Sequence, residues 1–441
     1  MLMKEGVPKS KRAVILHMWA ARRHLNSLVK TNQVVRQGPY TPGHSDVSLV
    51  AEQRLCLERL VSAFACHLDG TLHSRPWVRI LGPPGSGKSE VGNAFTEYVL
   101  KEKHTVRILS PTGCLAEVYR QRNLQKTGVT VDTFDGGLGF FNDSQKVSVY
   151  ESVIIVDEYP YLAWNRLEHL YKVCEASAFH SFVLLIGDRL QLTGPGASQD
   201  PSFWYGDWHI VMELKEIHRS QDARFTNDQM YLRRGRGIAS VRDRLVEQRV
   251  LFRTENEVTA AGLLAHFRQF PTCVAMAVTR KCVAWLNALI VEALFAQQPC
   301  LGEVMTDTRS QQRLCLYRDL RVMMTYNQDK TAGAVNGAFG YVLAVRPGMV
   351  ALQLDTRPEP YAVHWQQMKH EKEKYYGFPL TVGYACTVSK MLGRTLDSVL
   401  IYPDICAPGT GYTAISRVRR RRDLWWVVPP ACDFFLPQQT D

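Results

Sequence analysis

The stretch LGPPGSGKSE, residues 81–90, constrains the chain more than any other. It reads G-x-x-x-x-G-K-S at Gly82, Gly87, Lys88 and Ser89, directly after the apolar run WVRIL (77–81) and before a segment with helical spacing. In that setting the glycines, Gly85 included, let backbone N–H groups close around phosphate oxygens, and the start of the following helix adds a favourable dipole. Lys88 is then placed to reach the β and γ phosphates of a nucleotide, and Ser89 to bind Mg²⁺. Strand, phosphate loop and helix in succession predict an α/β fold with parallel strands; the bland alternative is a Gly-rich turn.

The rest of the chain follows the same pattern. Short apolar runs at TVRIL (105–109), SVIIVD (152–157) and SFVLLIGD (181–188) alternate with helical segments, as in a parallel sheet covered on both faces. A second set, TCVAMAV (272–278), SVLIYP (398–403) and LWWVV (424–428), fits a second α/β unit. Between these runs, LRVMMTYNQ, GYVLAV and MVALQLD are β-like and divided by Asn, Gly and Pro, which predicts a small barrel inserted into the second unit. The expected organisation is a basic arm (1–45), a first unit (46–215), a second unit in two parts (216–304 and 376–430) around an insertion (305–375), and a tail (431–441).

Two further carboxylate-bearing strand ends join the phosphate loop. VIIVDEYP is an apolar strand ending in Asp157 and Glu158, which puts one carboxylate on a metal ion and the next beside an attacking water. An acidic strand end in solvent is the plainer alternative, but four preceding apolar residues mark a buried central strand. GDRLQL places Asp188 and Gln191 after a third strand, at the carboxyl edge where open α/β sheets bind ligands. Together these elements predict hydrolysis of a nucleoside triphosphate.

Charge adds less than its total suggests. The formal charge is +11, yet residues 1–45 carry eight Lys or Arg against Glu5 alone, so the arm holds seven of those eleven charges. Basicity therefore argues only weakly for a polyanionic partner of the remaining chain. The 11 cysteines include no C-x-x-C pair, which speaks against a structural zinc site or a disulfide framework and for a reducing compartment. No apolar run is long enough to cross a membrane. AVILHMWAA (13–21) after a basic start reads as a short signal or transit segment, a basic helix or a disordered arm. The run GYTAISRVRRRRDLWW (411–426) holds Arg417 and Arg419 to Arg422, and is open to reading as a solvated surface, a nuclear address, a nucleic-acid patch or part of a site. Trp164, Trp204, Trp208 and Trp285 are candidates either for stacking on bases or for core packing.

The order of these motifs, over residues 46–428, resembles superfamily-one helicases of the RecD and Pif branch. The resemblance implies an α/β fold of two RecA-like P-loop motor domains with parallel sheets, and a small SH3-like β insertion in the second. LVAEQR resembles an adenine-reading motif with Gln53 as its glutamine. SPTGCLA and VDTFD resemble nucleic-acid motifs, which would place Thr112 and Thr133 on the strand backbone. Gln191 would sense the γ-phosphate, and LKEIHRSQDARF would give Arg219 as a first arginine finger. AVNGAFGYV (334–342) is similar to the family's NG-x-x-G stretch in the insertion. YACTVSKMLGRTLDSV would put Thr387 and Lys390 near nucleic acid, and GYTAISR would make Arg417 the second finger. Ser389, Met391 and Leu392 depart from the polar residues usual beside that lysine. Only Asp135 to Glu151 separate VDTFD from the strand bearing Asp157, which is short for a duplex-parting hairpin.

The implied activity is an ATP-dependent helicase or translocase on single-stranded or forked DNA, moving 5′ to 3′. ATP and Mg²⁺ would sit between the two units, with both fingers supplied from the second unit. Replication or repair proteins would be partners, without a membrane, at an intracellular address with the nucleus ahead of the mitochondrion. The alternatives are a replicative helicase subunit of a large DNA virus acting with a primase, a viral-type RNA helicase, and a non-unwinding nucleic-acid-binding ATPase switch. Arg419 to Arg422 are expected to follow the Arg417 helix, as solvated cations that complement its dipole, as nucleic-acid contacts or as a nuclear address.

Overall fold

The computed structural model describes residues 49–71, 77–140, 149–177, 180–194, 210–220, 222–370 and 373–438. The basic arm with its AVILHMWAA segment, and both Trp204 and Trp208, lie outside them.

The first half alternates helices and parallel strands in the order α1 (Ala51–Leu68), β1 (Trp77–Leu81), α2 (Lys88–Lys101), β2 (Val106–Ser110), α3 (Gly113–Asn123), β3 (Val129–Thr133), the single turn α4 (Phe134–Gly137), β4 (Val153–Val156), α5 (Trp164–Ala176), β5 (Phe182–Gly187) and β6 (Ile210–Glu213). The strands form one six-stranded sheet, ordered β3-β2-β4-β5-β1-β6, and every pairing in it is parallel. The runs VIIV of β4 and FVLLIG of β5 are buried throughout, as strands covered on both faces must be. Edge strands β3 and β6 read VTVDT and IVME; their mixed polarity left them out of the sequence-based strand set and suits a sheet margin.

The second half runs α6 (Ala223–Arg233), α7 (Ile238–Val246), α8 (Ala260–Gln269), β7 (Val274–Ala277), α9 (Arg280–Phe295), then β8 (Gly302–Asp307), β9 (Gln312–Leu316), β10 (Arg321–Met324), β11 (Phe339–Arg346), β12 (Met349–Leu354), β13 (Tyr361–His364), β14 (Gln366–His370), β15 (Glu373–Gly377), β16 (Leu380–Val382), β17 (Ala385–Thr387), β18 (Val399–Ile401), α10 (Thr410–Ile415) and β19 (Leu424–Trp426). Its parallel sheet is ordered β17-β7-β18-β19. The insertion is antiparallel: a five-stranded sheet β13-β12-β11-β10-β16 and the hairpins β8-β9 and β14-β15.

The pleat of the parallel sheet separates two cores. Ala275 and Leu400 face one, together with Val322, Val342 and Leu352 of the insertion. Met276, Val399 and Ile401 face the other, with Phe225, Trp426, Phe434 and Phe435. The insertion therefore shares its core with the parallel sheet instead of enclosing one alone. Residues 432–435 are likewise no loose tail, since Phe434 and Phe435 are fully buried beside Trp426.

The chain divides into two compact units. The first holds the described residues up to Pro111, Asn123–Asp188 and Thr193–Arg219; the second holds Thr112–Arg122, Arg189–Leu192 and everything from Ser220. Two points differ from the sequence-based division. The first unit continues through Arg219, because β6 joins the sheet edge and carries the following residues back onto the phosphate loop. The GDRLQL run is split, with Asp188 in the first unit and Gln191 in the second.

Candidate nucleotide and nucleic-acid sites

In the first unit the sheet order makes β4, β5 and β1 neighbours, so the residues that follow them share one carboxyl edge. These are Asp157 and Glu158, Asp188, and the loop Gly82–Gly87. Gly85 (φ 80°) and Gly87 (φ 85°) adopt left-handed backbone. A Cβ at Gly85 would lie 2.5 Å from Arg219 Cβ, and one at Gly87 only 2.1 Å from Gln53 Nε2, so neither position admits a side chain.

Lys88 opens α2 and is buried. Its ammonium donates to the carbonyls of Gly82 (2.8 Å) and Pro83 (2.9 Å). Burial pulls its pKa down, opposed by the nearby carboxylates of Asp188, Glu158 and Asp157. Next in the chain, Ser89 Oγ donates to Asp157 Oδ2 at 3.3 Å, while Asp157 Oδ1 accepts from the Glu158 amide at 2.9 Å. Glu158 has φ 50° and ψ 39°, the left-handed region in a residue with a side chain. The turn Tyr159–Tyr161 that follows packs on the end of β5, where a Cβ at Gly187 would lie 2.3 Å from Pro160 Cδ.

These residues fit Mg-ATP. The Ser86 hydroxyl is buried within the loop and has no hydrogen-bond partner among the described residues, and the two glycine positions keep side chains out of the cradle. Ser89 and Asp157 present hard oxygen donors of the kind Mg²⁺ takes.

Gln53 and Arg219 brace this loop. The Gln53 amide donates to Ser86 O at 2.9 Å and accepts from Val50 N at 3.1 Å. Glu52 accepts from the amides of Lys215 and Glu216, and the amides of His218 and Arg219 both donate to Gly85 O. Arg219 thus belongs to the first unit and lies against the phosphate loop. The expectation that it comes from the second unit is corrected by this strand-anchored return.

Within the second unit, Arg417 is buried at 1 % exposure at the end of α10. Its guanidinium donates to Gln191 Oε1 (3.0 Å), Ser416 Oγ (2.7 Å), Thr413 O (3.0 Å) and Met391 O (3.2 Å). Leu192 N donates to Thr413 Oγ1, and Gly409, which precedes α10, has φ 78° and abuts the Gln191 backbone. Gln191 and Arg417, 226 residues apart, are brought into direct contact.

The expected nucleic-acid residues have local partners. Thr112 Oγ1 accepts from Leu115 N and Thr133 Oγ1 from Gly136 N, so each caps the helix after its strand. Thr387 Oγ1 and Ser389 Oγ lie 3.0 Å apart. Lys390 donates to Asn336 Oδ1 at 3.2 Å, and Asn336 O also accepts from the Cys114 thiol. Burial lowers the Lys390 pKa. Asn336 was not singled out from the sequence, although it is the asparagine of AVNGAFGYV. Met391, in place of a polar residue, is buried and offers its carbonyl to Arg417 and to the Arg394 amide.

The arginine run corrects another expectation. α10 ends at Ile415, four residues before Arg419, so these cations do not cap it. Arg420 instead pairs with Asp423 at 2.8 Å and Arg421 with Glu247 at 3.2 Å, while Arg419 and Arg422 are exposed. Trp285, 36 % exposed, packs obliquely on Tyr402.

The sequence model of a family described as an AAA domain matches residues 67–251. The chain is 26 % identical over 273 residues to the ATP-dependent DNA helicase PIF1 of Danio rerio, covering 55 % of this chain and 40 % of that protein. It is 24 % identical over 309 residues to the Xenopus laevis PIF1, covering 62 % and 46 %. The chain thus spans less than half the length of these relatives. Among solved structures, Bacteroides Pif1 bound to ssDNA superposes with a TM-score of 0.62 at 18 % identity, covering 88 % of this chain and 93 % of that one. Candida albicans Pif1 gives 0.60 at 18 % identity, with 88 % and 96 % covered. These likenesses establish the fold as two RecA-like units, which agrees with the parallel sheets described above. With its motifs in order along that fold, the chain is similar to Pif1 helicases in sequence and in fold.

Proposed function

We propose that this chain is an ATP-driven helicase or translocase on single-stranded DNA, moving 5′ to 3′. The observation that carries the reading is the shared edge of β4, β5 and β1, which gathers Lys88, the Ser89–Asp157 pair, Asp188 and the strained Glu158 around one phosphate loop. Mg²⁺ bound there would neutralise charge on the β and γ phosphates. Lys88 would leave the loop carbonyls for the same oxygens, Ser89 and Asp157 would hold the metal, and Glu158 would orient the attacking water. Arg417 carries positive charge to the transferring phosphoryl group. Gln191, bonded to that guanidinium, links its position to the nucleotide state. Lys390, Thr387, Thr112 and Thr133 hold the strand through its phosphates. Single-stranded or forked DNA in the nucleus or mitochondrion is the proposed substrate, with replication or repair proteins as partners.

ATP hydrolysis measured with and without single-stranded DNA tests this. DNA should stimulate wild type, Lys88→Ala should abolish turnover, and Arg417→Ala should lose about 10³- to 10⁵-fold, the contribution of such a finger elsewhere. Absence of DNA stimulation, or an intact rate in either variant, would overturn the reading.

A further inference from the structure

Within the second unit, an open cavity of about 590 Å³ lies between the last turns of α3 and the loop Met391–Asp397. That volume falls in the range of roughly 300–1,000 Å³ usual for small-ligand sites. The cavity opens beside Thr272 and Val274, at the amino end of β7; Thr387 pairs with Ala277 at the opposite end. It is therefore separate from the strand edge that carries Thr387.

Three guanidiniums line it, those of Arg122, Arg321 and Arg394, against the carboxylates of Asp355 and Asp397. Arg321 Cζ lies 5.1 Å from the Phe339 ring centre and 4.9 Å from that of Tyr341, and the guanidinium is paired with Asp355 at 2.8 Å. Arg394 lies 5.3 Å from the centre of the same Phe339 ring. Two guanidiniums thus lie beside aromatic rings, and a guanidinium offers N–H donors at its edge and a stacking surface on its face. Val118 and Met391 supply apolar wall. The lining carries three arginines and two aspartates.

We propose that this cavity is a second ligand site, for a small phosphorylated compound carrying a flat ring, an anion of the mononucleotide class. The phosphoryl group takes the guanidinium N–H groups of Arg394 and Arg122, and the ring stacks on a guanidinium plane as bases do on arginine. The same chemistry is offered by a free nucleotide and by the phosphorylated end of a strand. The loop that walls the cavity also holds Arg417, through Leu396 N to Arg417 O at 2.8 Å and Arg417 Nη1 to Met391 O. Occupancy would accordingly stiffen the support of Arg417, a consequence that rests on the function proposed above, whereas binding itself does not.

The test is ligand-observed NMR on the full chain with thymidine 5′-monophosphate, with the phosphate loop saturated by Mg²⁺ and a non-hydrolysable ATP analogue. Saturable binding is expected, with inorganic phosphate alone much weaker. Arg394→Ala should bind about tenfold less tightly, the loss of one charge-assisted hydrogen bond. Val118→Trp, which fills the cavity and keeps every guanidinium, should abolish binding, with thermal melts confirming that both variants fold. Displacement of the probe by a 5′-phosphorylated oligothymidine, and not by its unphosphorylated form, assigns the site to strand ends; no displacement by either assigns it to free nucleotides. No saturation at millimolar probe, phosphate binding equal to the nucleotide, or affinity unchanged in both variants would sink the proposal.

Discussion

Glu158 sits in a backbone conformation that costs a residue with a Cβ about 1–2 kcal/mol. The cost persists because β4 ends in the core at Val156 and the next turn is pinned against Gly187, so the chain has no other route between them. Glu158→Gly removes that strain and adds unfolded-state entropy of similar size. Its melting temperature should stay close to wild type while ATP turnover collapses; a large loss of stability would show that the carboxylate serves the fold. His266 offers a residue-scale test of a different kind. It is buried among Phe267, Phe270 and Trp425, with Nε2 unpartnered among the described residues, and burial drops its pKa to about 4. The unfolded chain takes up this proton near pH 6.5 and the folded chain only near 4. The stabilising effect of the neutral ring is thus complete above about pH 6.5 and is lost as pH falls toward 4, by about 3 kcal/mol at most. Denaturant melts across that window should show the loss in wild type, and a shallower slope in His266→Leu.

At the scale of elements, what could be read ahead of the structure was whatever is local. The phosphate loop, with Lys88 and Ser89, and the β4 carboxylates are contiguous motifs on fully apolar strands, and the structure gathers them at one edge. Strands β3 and β6 were missed because edge strands bury only part of their surface and carry no unbroken apolar run. The places of Arg219 and Gln191 were not legible because long-range pairing decides them. β6 returns Arg219 to Gly85, and Arg417 draws Gln191 into the second unit from 226 residues away. The length of α10 was missed for a related reason. Gly409 and Gly411 are required by close backbone approach to Gln191 and Phe434, and the helix they begin stops after Ile415. Arg419 to Arg422 therefore act as a surface segment instead of a cap. Of these, Arg420 and Arg421 are engaged by Asp423 and Glu247. Neutralising exposed Arg419 and Arg422 together should flatten the salt dependence of DNA binding, by up to about one unit of log–log slope per phosphate contact removed, and spare basal ATP turnover. A turnover loss as deep as that of Arg417→Ala would show instead that the segment belongs to the catalytic apparatus.

For the whole molecule, the division of labour between the units is open to measurement. Every residue proposed to grip the nucleotide phosphates and metal, Lys88, Ser89 and Asp157, lies in the first unit, together with the bracing residues Gln53 and Arg219. Arg417 and Gln191, proposed to act on the transferring group, lie in the second unit. Nucleotide affinity and catalytic rate should then separate by unit. A ligand that binds only the folded state stabilises it by RT ln(1 + [L]/Kd), about 2.7 kcal/mol at a hundredfold excess over Kd. For a unit of this size, at about 2–4 °C per kcal/mol, that corresponds to a rise of about 5–11 °C in Tm. Mg²⁺ with a non-hydrolysable ATP analogue should accordingly raise the first melting transition of wild type and of Arg417→Ala alike. The Lys88→Ala protein should show little or no rise, although both variants have lost turnover. Equal loss of the thermal shift in the two variants would mean that Arg417 contributes to ground-state binding, and that the separation of grip from catalysis is wrong.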